Sequence, residues 1–201
     1  MDTNGGVVLF HQIHSSTSGT LYAWSVTSGT NEACAIPVNL WAMGGMNGVF
    51  RSMEDGRAVD LFDHVRSALD GRSDVEVMVG CDSHNRQLYT LYTTTIVIRY
   101  HRNGARVLYR REKAPKVVDL WTRLWGEVER SLAVAQLLRE TGRIPVKRID
   151  MDLNSDDRFA SNKLHTAAVG YIRSYGYEPY TKPEMLIASW AANVLCNGGR
   201  R

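Results

Sequence analysis

From Gly48 onward the apolar residues fall into regular periods. Val59, Phe62, Val65 and Leu69 recur at helical spacing and predict a helix over 55–69, closed by Asp70-Gly71. Residues 75–81, mostly β-branched or apolar, read as a strand, and 88–100, dominated by Thr, Tyr, Ile and Val, as a longer one. Asn103-Gly104 is a strong hairpin-turn pair, and 105–111 supplies the returning strand. These three strands should form an antiparallel meander.

A long amphipathic helix is expected over 116–141. Val117, Trp121, Leu124, Trp125, Val128, Leu132, Ala135 and Leu138 line its buried stripe, and Gly142 and Pro145 end it. Residues 146–153 read as a fourth strand. A polar break at 154–157 leads into a helix over 158–174, which Gly176 stops. A short fifth strand at 177–180 and a last helix over 184–196 complete the pattern. The order is strand, strand, strand, helix, strand, helix, strand, helix. It predicts a mixed α/β fold: a five-stranded mixed sheet flanked by helices.

Composition changes abruptly before this region. Arg51 is the first basic residue, so all 24 Lys and Arg fall after residue 50. Residues 1–47 are rich in Ser, Thr, Gly and Asn, and Trp24 and Trp41 belong to no sustained period. They read as a low-complexity N-terminal extension, disordered or loosely packed, with 48–201 as the folded domain.

With 44% hydrophobic residues the chain can bury a real core, and no apolar run approaches the roughly 20 residues of a membrane span. Cys34, Cys81 and Cys196 are odd in number and lack CxxC spacing, which argues against a zinc ribbon or disulfide framework. With no secretory signal pattern at the start, the cytoplasm is the expected compartment. The net charge of +3 decides nothing. Its distribution says more: between Arg99 and Arg148 stand thirteen Lys or Arg against five Asp or Glu. Such a block can offer a phosphate-attracting face or merely a solvated surface. GxSxG and GxxxxGK[ST] are both absent, so neither a nucleophile-elbow hydrolase nor a P-loop enzyme is indicated.

Carboxylates recur where this architecture would gather them. Asp82 ends the first strand, Asp150 and Asp152 close the fourth, and Glu127 lies in the first half of the long helix. Strand alternation points Asp150 and Asp152 to one face, so either could be a ligand. Glu127 takes the more inward flank of its helix and Glu129 the solvated one. Gathered acids demand a cation, and oxygen-only ligands suit Mg²⁺ or Mn²⁺. Two such ions about 4 Å apart activate water and stabilise a leaving phosphodiester oxygen. Taken singly, an Asp before a Ser is as readily a turn former. Ser83 could hydrogen-bond within such a centre or cap a turn. His84 and His165 are not spaced as a metal pair.

Six runs, in order, resemble the YkuK-like family of ribonuclease H-like proteins. They are Val79-Gly80-Cys81-Asp82-Ser83, Trp125-Gly126-Glu127-Val128-Glu129-Arg130-Ser131, Asp152-Leu153-Asn154, Ser161-Asn162-Lys163-Leu164, Gly170-Tyr171-Ile172, and Lys182-Pro183 with Ala188-Ser189. The resemblance covers most of 48–195 and implies a ribonuclease H-like fold and a metal-dependent nuclease of RNA, DNA or a hybrid. It places Asp82, Glu127 and Asp152 at the catalytic, metal-binding acids and implies two Mg²⁺ or Mn²⁺ ions. Where such enzymes commonly carry a fourth acid, this chain has Asn193, which can ligate through oxygen but adds no charge. That departure weakens the second metal site and keeps open an alternative, a catalytically weakened nucleic-acid-binding module. Lys163, Lys182 and Ser83 are the candidate nucleic-acid contacts. The expected partner is nucleic acid, not a membrane, and the oligomeric state stays open.

Overall fold

A computed structural model of the chain describes residues 22–25, 34–37, 49–101 and 104–198. The chain divides into two units, 1–47 and 48–201. In the first, β1 (Tyr22–Ser25) pairs antiparallel with β2 (Cys34–Pro37), Trp24 opposite Ala35. The remainder of that unit, and with it the expectation of loose packing, lies outside the described residues.

The second unit is built on one mixed sheet. Its strands are β3 (Arg51–Ser52), β4 (Val75–Asn85), β5 (Tyr89–Tyr100), β6 (Ala105–Pro115), β7 (Arg148–Asn154) and β8 (Glu178–Lys182). They lie in the order β3-β6-β5-β4-β7-β8. The β4-β5-β6 meander is antiparallel as expected, whereas β7 joins β4, and β8 joins β7, in parallel. The sheet therefore has six strands, not five. The extra one, β3, pairs only Arg51 and Ser52 with Tyr109 and Leu108, too short a segment to show a period. Gly104 takes φ of 88°, the left-handed region that its turn reading required, while Asn103 lies outside the described residues.

The helices are α1 (Leu61–Leu69), α2 (Leu120–Gln136), α3 (Asn162–Ser174) and α4 (Ile187–Cys196). Each begins later than the apolar pattern alone suggests, and local side chains supply part of the reason. Gly56 turns the chain at φ 72°, and Asp60 then caps α1 by accepting from the Asp63 N–H at 2.9 Å. Asp119 caps α2 by accepting from the Thr122 N–H at 2.7 Å, which leaves Val117 outside the helix. Val117 instead donates its N–H to the Thr90 hydroxyl at 2.8 Å, and β6 runs on to Pro115. After α2 the chain widens into a π-helical turn, Leu137–Thr141, before Gly142 ends it.

Alternation gives the sheet two apolar faces. Val77, Val79, Ile96, Ile98, Ile149 and Leu153 pack with Val65 of α1, Leu124, Val128 and Leu132 of α2, and Ala168 and Ile172 of α3. Met78 and Val97 point the other way, against Ala188 and Ala191 of α4. Fully buried chains such as Val79, Ile96 and Ile149 each stabilise the fold by about 1.5–3 kcal/mol relative to exposure. No helix among the described residues is long and apolar enough to cross a membrane.

Candidate active site

The parallel ladder between β4 and β7 is short. It pairs Met78 with Arg148, Val79 with Ile149 and Gly80 with Asp150, and there it stops. Asp82 and Asp152 each lie two residues past the last pair, so alternation points both to the face that carries α4. Asp82 does not end its strand as expected. β4 continues beside β5, Asp82 opposite Thr93, as far as Asn85 opposite Thr90. The two aspartates thus stand at the carboxyl side of adjacent parallel strands, where the chain order reverses. Open α/β sheets bind their ligands at such a position.

Helix α4 reaches this point because its N-terminus is fastened to the sheet. Asp150 accepts the Ala188 N–H at 2.7 Å and pairs with Arg148 at 2.5 Å, and the Arg148 guanidinium also donates to the Met185 carbonyl. The Thr95 hydroxyl donates to the Ala188 carbonyl at 2.7 Å. Gly80 allows the approach: a Cβ there would lie 2.6 Å from the Ser189 nitrogen. Asp150 is fully buried, and burial pushes its carboxyl up while Arg148 and the Ala188 N–H pull it down. Of the two acids on this face of β7, Asp150 is therefore a fastening, and Asp152, with its side chain 32% exposed, is the one that meets solvent.

From this fastened helix Asn193 donates its amide to Asp82 at 3.2 Å, and its carbonyl oxygen accepts from Asn197 at 3.1 Å. As a metal ligand Asn193 would have to turn its amide. The Lys182 ammonium lies 2.5 Å from a carboxylate oxygen of Asp152. Burial raises the Asp82 carboxyl above the usual range and the Asp152 charge adds to the rise; the Ser83 N–H, Arg123 and Asn193 oppose it.

Glu127 comes from the other side of the sheet. Ser83, next to Asp82 on β4, points opposite to it and donates its hydroxyl to Glu127 at 2.5 Å. Arg123, one turn earlier on α2, donates to the Ser83 carbonyl at 2.8 Å and hydroxyl at 2.7 Å and stands 3.6 Å from Glu127. Glu127 is only 5% exposed, as its inward flank predicted, and Glu129 is exposed. Burial above all pushes the Glu127 carboxyl up to about 8. The Asp82 and Asp152 charges add to the rise, against the pull of Ser83 and Arg123.

The donors fit a hard cation only in part. Asp82, Asp152 and the Asn193 carbonyl are oxygen ligands of the kind Mg²⁺ and Mn²⁺ take. Among the described residues, however, no three His, Cys, Asp or Glu side chains come together as a group able to hold a metal. Glu127 is engaged by Ser83 and Arg123 instead.

The other candidates scatter. Lys163 lies with its ammonium 5.6 Å from the centre of the Trp121 ring, and Ser83 is buried within the Glu127 network. His165 shares a hydrogen bond with Thr181 at 3.0 Å. Much of the basic block serves the fold: Arg148 holds Asp150, Arg130 pairs with Glu112 at 2.6 Å across the Tyr92 ring, and Arg110 is buried over Phe50. The sequence reading missed Arg123, although its i,i+4 spacing to Glu127 was a signal. It also missed Gly80, a glycine inside an apolar strand and hence a mark of close backbone approach.

A family model described as ribonuclease H-like matches residues 60–196. No curated protein and no solved structure matches the chain.

Proposed function

The chain belongs to the ribonuclease H-like family, and on that footing we propose that it hydrolyses nucleic-acid phosphodiester bonds at Asp82 and Asp152. Within the family we place it among the YkuK-like proteins, on the runs Val79–Ser83, Trp125–Ser131 and Asp152–Asn154. The observation that carries the reading is the register. Two carboxylates sit side by side just past the end of a three-pair parallel ladder, on the face that α4 completes. Burial and the Asp152 charge raise the Asp82 carboxyl, and the Lys182 ammonium pairs with Asp152, so a cation beside Asp82 would be stabilised there. Mg²⁺ or Mn²⁺ held by Asp82 and Asp152 would supply charge stabilisation to a phosphate and favour ionisation of the attacking water.

Hydrolysis needs only water as co-reactant. Its oxygen bonds to phosphorus and the bond from phosphorus to the departing strand end breaks; one of water's protons goes to the departing oxygen, and the other stays on the new terminal phosphate or passes to solvent. The chain's own part is to orient. Asn193 holds one oxygen of Asp82, and Lys182, half-exposed beside Asp152, presents a positive charge to an incoming phosphate. RNA, DNA and a hybrid are all admissible substrates for this chemistry.

The test is cleavage of labelled RNA, DNA and hybrid duplexes in Mn²⁺ or EDTA, comparing wild type with Asp82→Asn. Metal-dependent cutting lost in the variant supports the reading and identifies the preferred substrate. A second reading, a binding module that has lost catalysis, is favoured by the uncharged Asn193 at the acid position. It would show no cutting on any substrate while binding weakened steeply with salt.

A further inference from the structure

Lys182 does not stand at a loose surface. It ends β8, its residue pairs with Asn154 of β7 beyond a register shift, and its carbonyl accepts from the Ser155 N–H at 3.4 Å and hydroxyl at 3.3 Å. Sheet pairing therefore sets the root of the side chain beside Asp152, and the ammonium lies 2.5 Å from that carboxylate. An ammonium is a compact point charge with three donors, able to occupy a position between carboxylates as a small cation would.

Donor supply at the site points the same way. Mg²⁺ demands near-octahedral oxygen coordination, and a pair of divalent ions needs several shared carboxylates. Here the α4 face offers Asp82 and Asp152, with Asn193 adding an oxygen but no charge, and no third acid joins them in a metal-holding group among the described residues. A second divalent ion would stand beside an ammonium with only two carboxylates to balance all three cations.

We infer that Lys182 takes the place of the second cation, so that the centre holds one divalent ion beside a fixed ammonium. This rests on the nuclease reading above and specifies it. It also separates Lys182 from an ordinary exposed ion pair, which adds little to stability and has no effect on how many ions bind.

The experiment is Mn²⁺ titration of the full chain by calorimetry, with electron paramagnetic resonance to separate single from spin-coupled ions. Wild type, Lys182→Ala, Lys182→Arg and Lys182→Ala/Asn193→Asp are compared. One uncoupled ion is expected in wild type and in Lys182→Arg. Lys182→Ala should bind Mn²⁺ about tenfold more tightly, equivalent to about 1.4 kcal/mol, and the double variant should take two coupled ions. Lys182→Met, which keeps the apolar stem, replaces Ala if thermal melting shows the strand edge has loosened. Two ions in wild type, or an unchanged count and affinity in Lys182→Ala, overturn the inference and leave the nuclease reading standing. No ion in wild type overturns it as well, and no ion in any variant removes the metal-dependent reading with it.

Discussion

Replacing Glu127 by Gln asks whether the buried acid is a strained group that the fold tolerates. Glu127 is nine-tenths buried or more and lies between Ser83 and Arg123, and its carboxyl is pushed from 4.5 to about 8, first by burial. In the unfolded chain it titrates near its ordinary value. Between those two pH values the folded protein therefore holds a proton that the unfolded chain has released. The stability that this one group contributes is fully present below about 4.5 and is lost as pH rises toward about 8, at up to about 1.4 kcal/mol per pH unit. At pH 7 the accumulated loss has an upper figure of about 3 kcal/mol. Gln keeps the shape and an N–H donor but never ionises, so the loss should vanish. The assay is denaturant unfolding of both proteins in EDTA, at half-unit steps from pH 5 to 8.5. The variant should gain steadily on the wild type as pH rises. Parallel profiles, or a variant that falls behind toward pH 8, would refute the argument and return Glu127 to the ordinary carboxylate range.

Three further outcomes follow from the packing. Gly80→Ala should destabilise by about 1–3 kcal/mol in a denaturant midpoint, because its Cβ meets α4 backbone that cannot rotate away. Asp150→Ala should cost about 3–5 kcal/mol in melting experiments, since it leaves the Arg148 charge buried without its partner. Cys81 and Cys196 are buried and burial raises both thiols, so peptide mapping should find neither alkylated by iodoacetamide at pH 8 until denaturant is added.

The architecture was legible because its long elements keep clean periods. The meander, the amphipathic α2 and the alternation of strands and helices after it all survive in the structure, with altered ends. Those ends were hidden for physical reasons. Caps at Asp60 and Asp119 decide where helices begin, and apolar residues upstream of them, such as Val117, bond to strands instead. At the candidate site, strand patterning could put Asp82, Asp150 and Asp152 at the ends of neighbouring strands, and only the family resemblance preferred Asp152 to Asp150. Alternation makes the two equivalent. What divides them is the length of the β4–β7 ladder and the presence of Arg148 beside one and Lys182 beside the other, facts of register and packing. The basic block stayed open between two readings for a similar reason: a count of Arg and Lys cannot tell a phosphate-facing residue from Arg130 or Arg148, which are committed to partners inside the fold.

Strand β4 has a double duty that explains why the acids need not form one compact cluster. Asp82 and Ser83 are consecutive, so they project to opposite faces of the sheet. Asp82 meets Asn193 of α4, and Ser83 meets Glu127 and Arg123 of α2. The two half-sites are thus joined through one peptide unit and through charge, for the Asp82 carboxylate is among the groups that raise Glu127. A cation drawn to Asp82 and Asp152 would offset the share of the Glu127 rise that their charges add to burial, without touching Glu127. On the proposed reading, occupancy of the opposite face would lower the Glu127 carboxyl while it stays bonded to Ser83. On the proposed nuclease reading, Glu127 would feel a cation at the aspartates through charge alone, and the chemistry would stay on the α4 face.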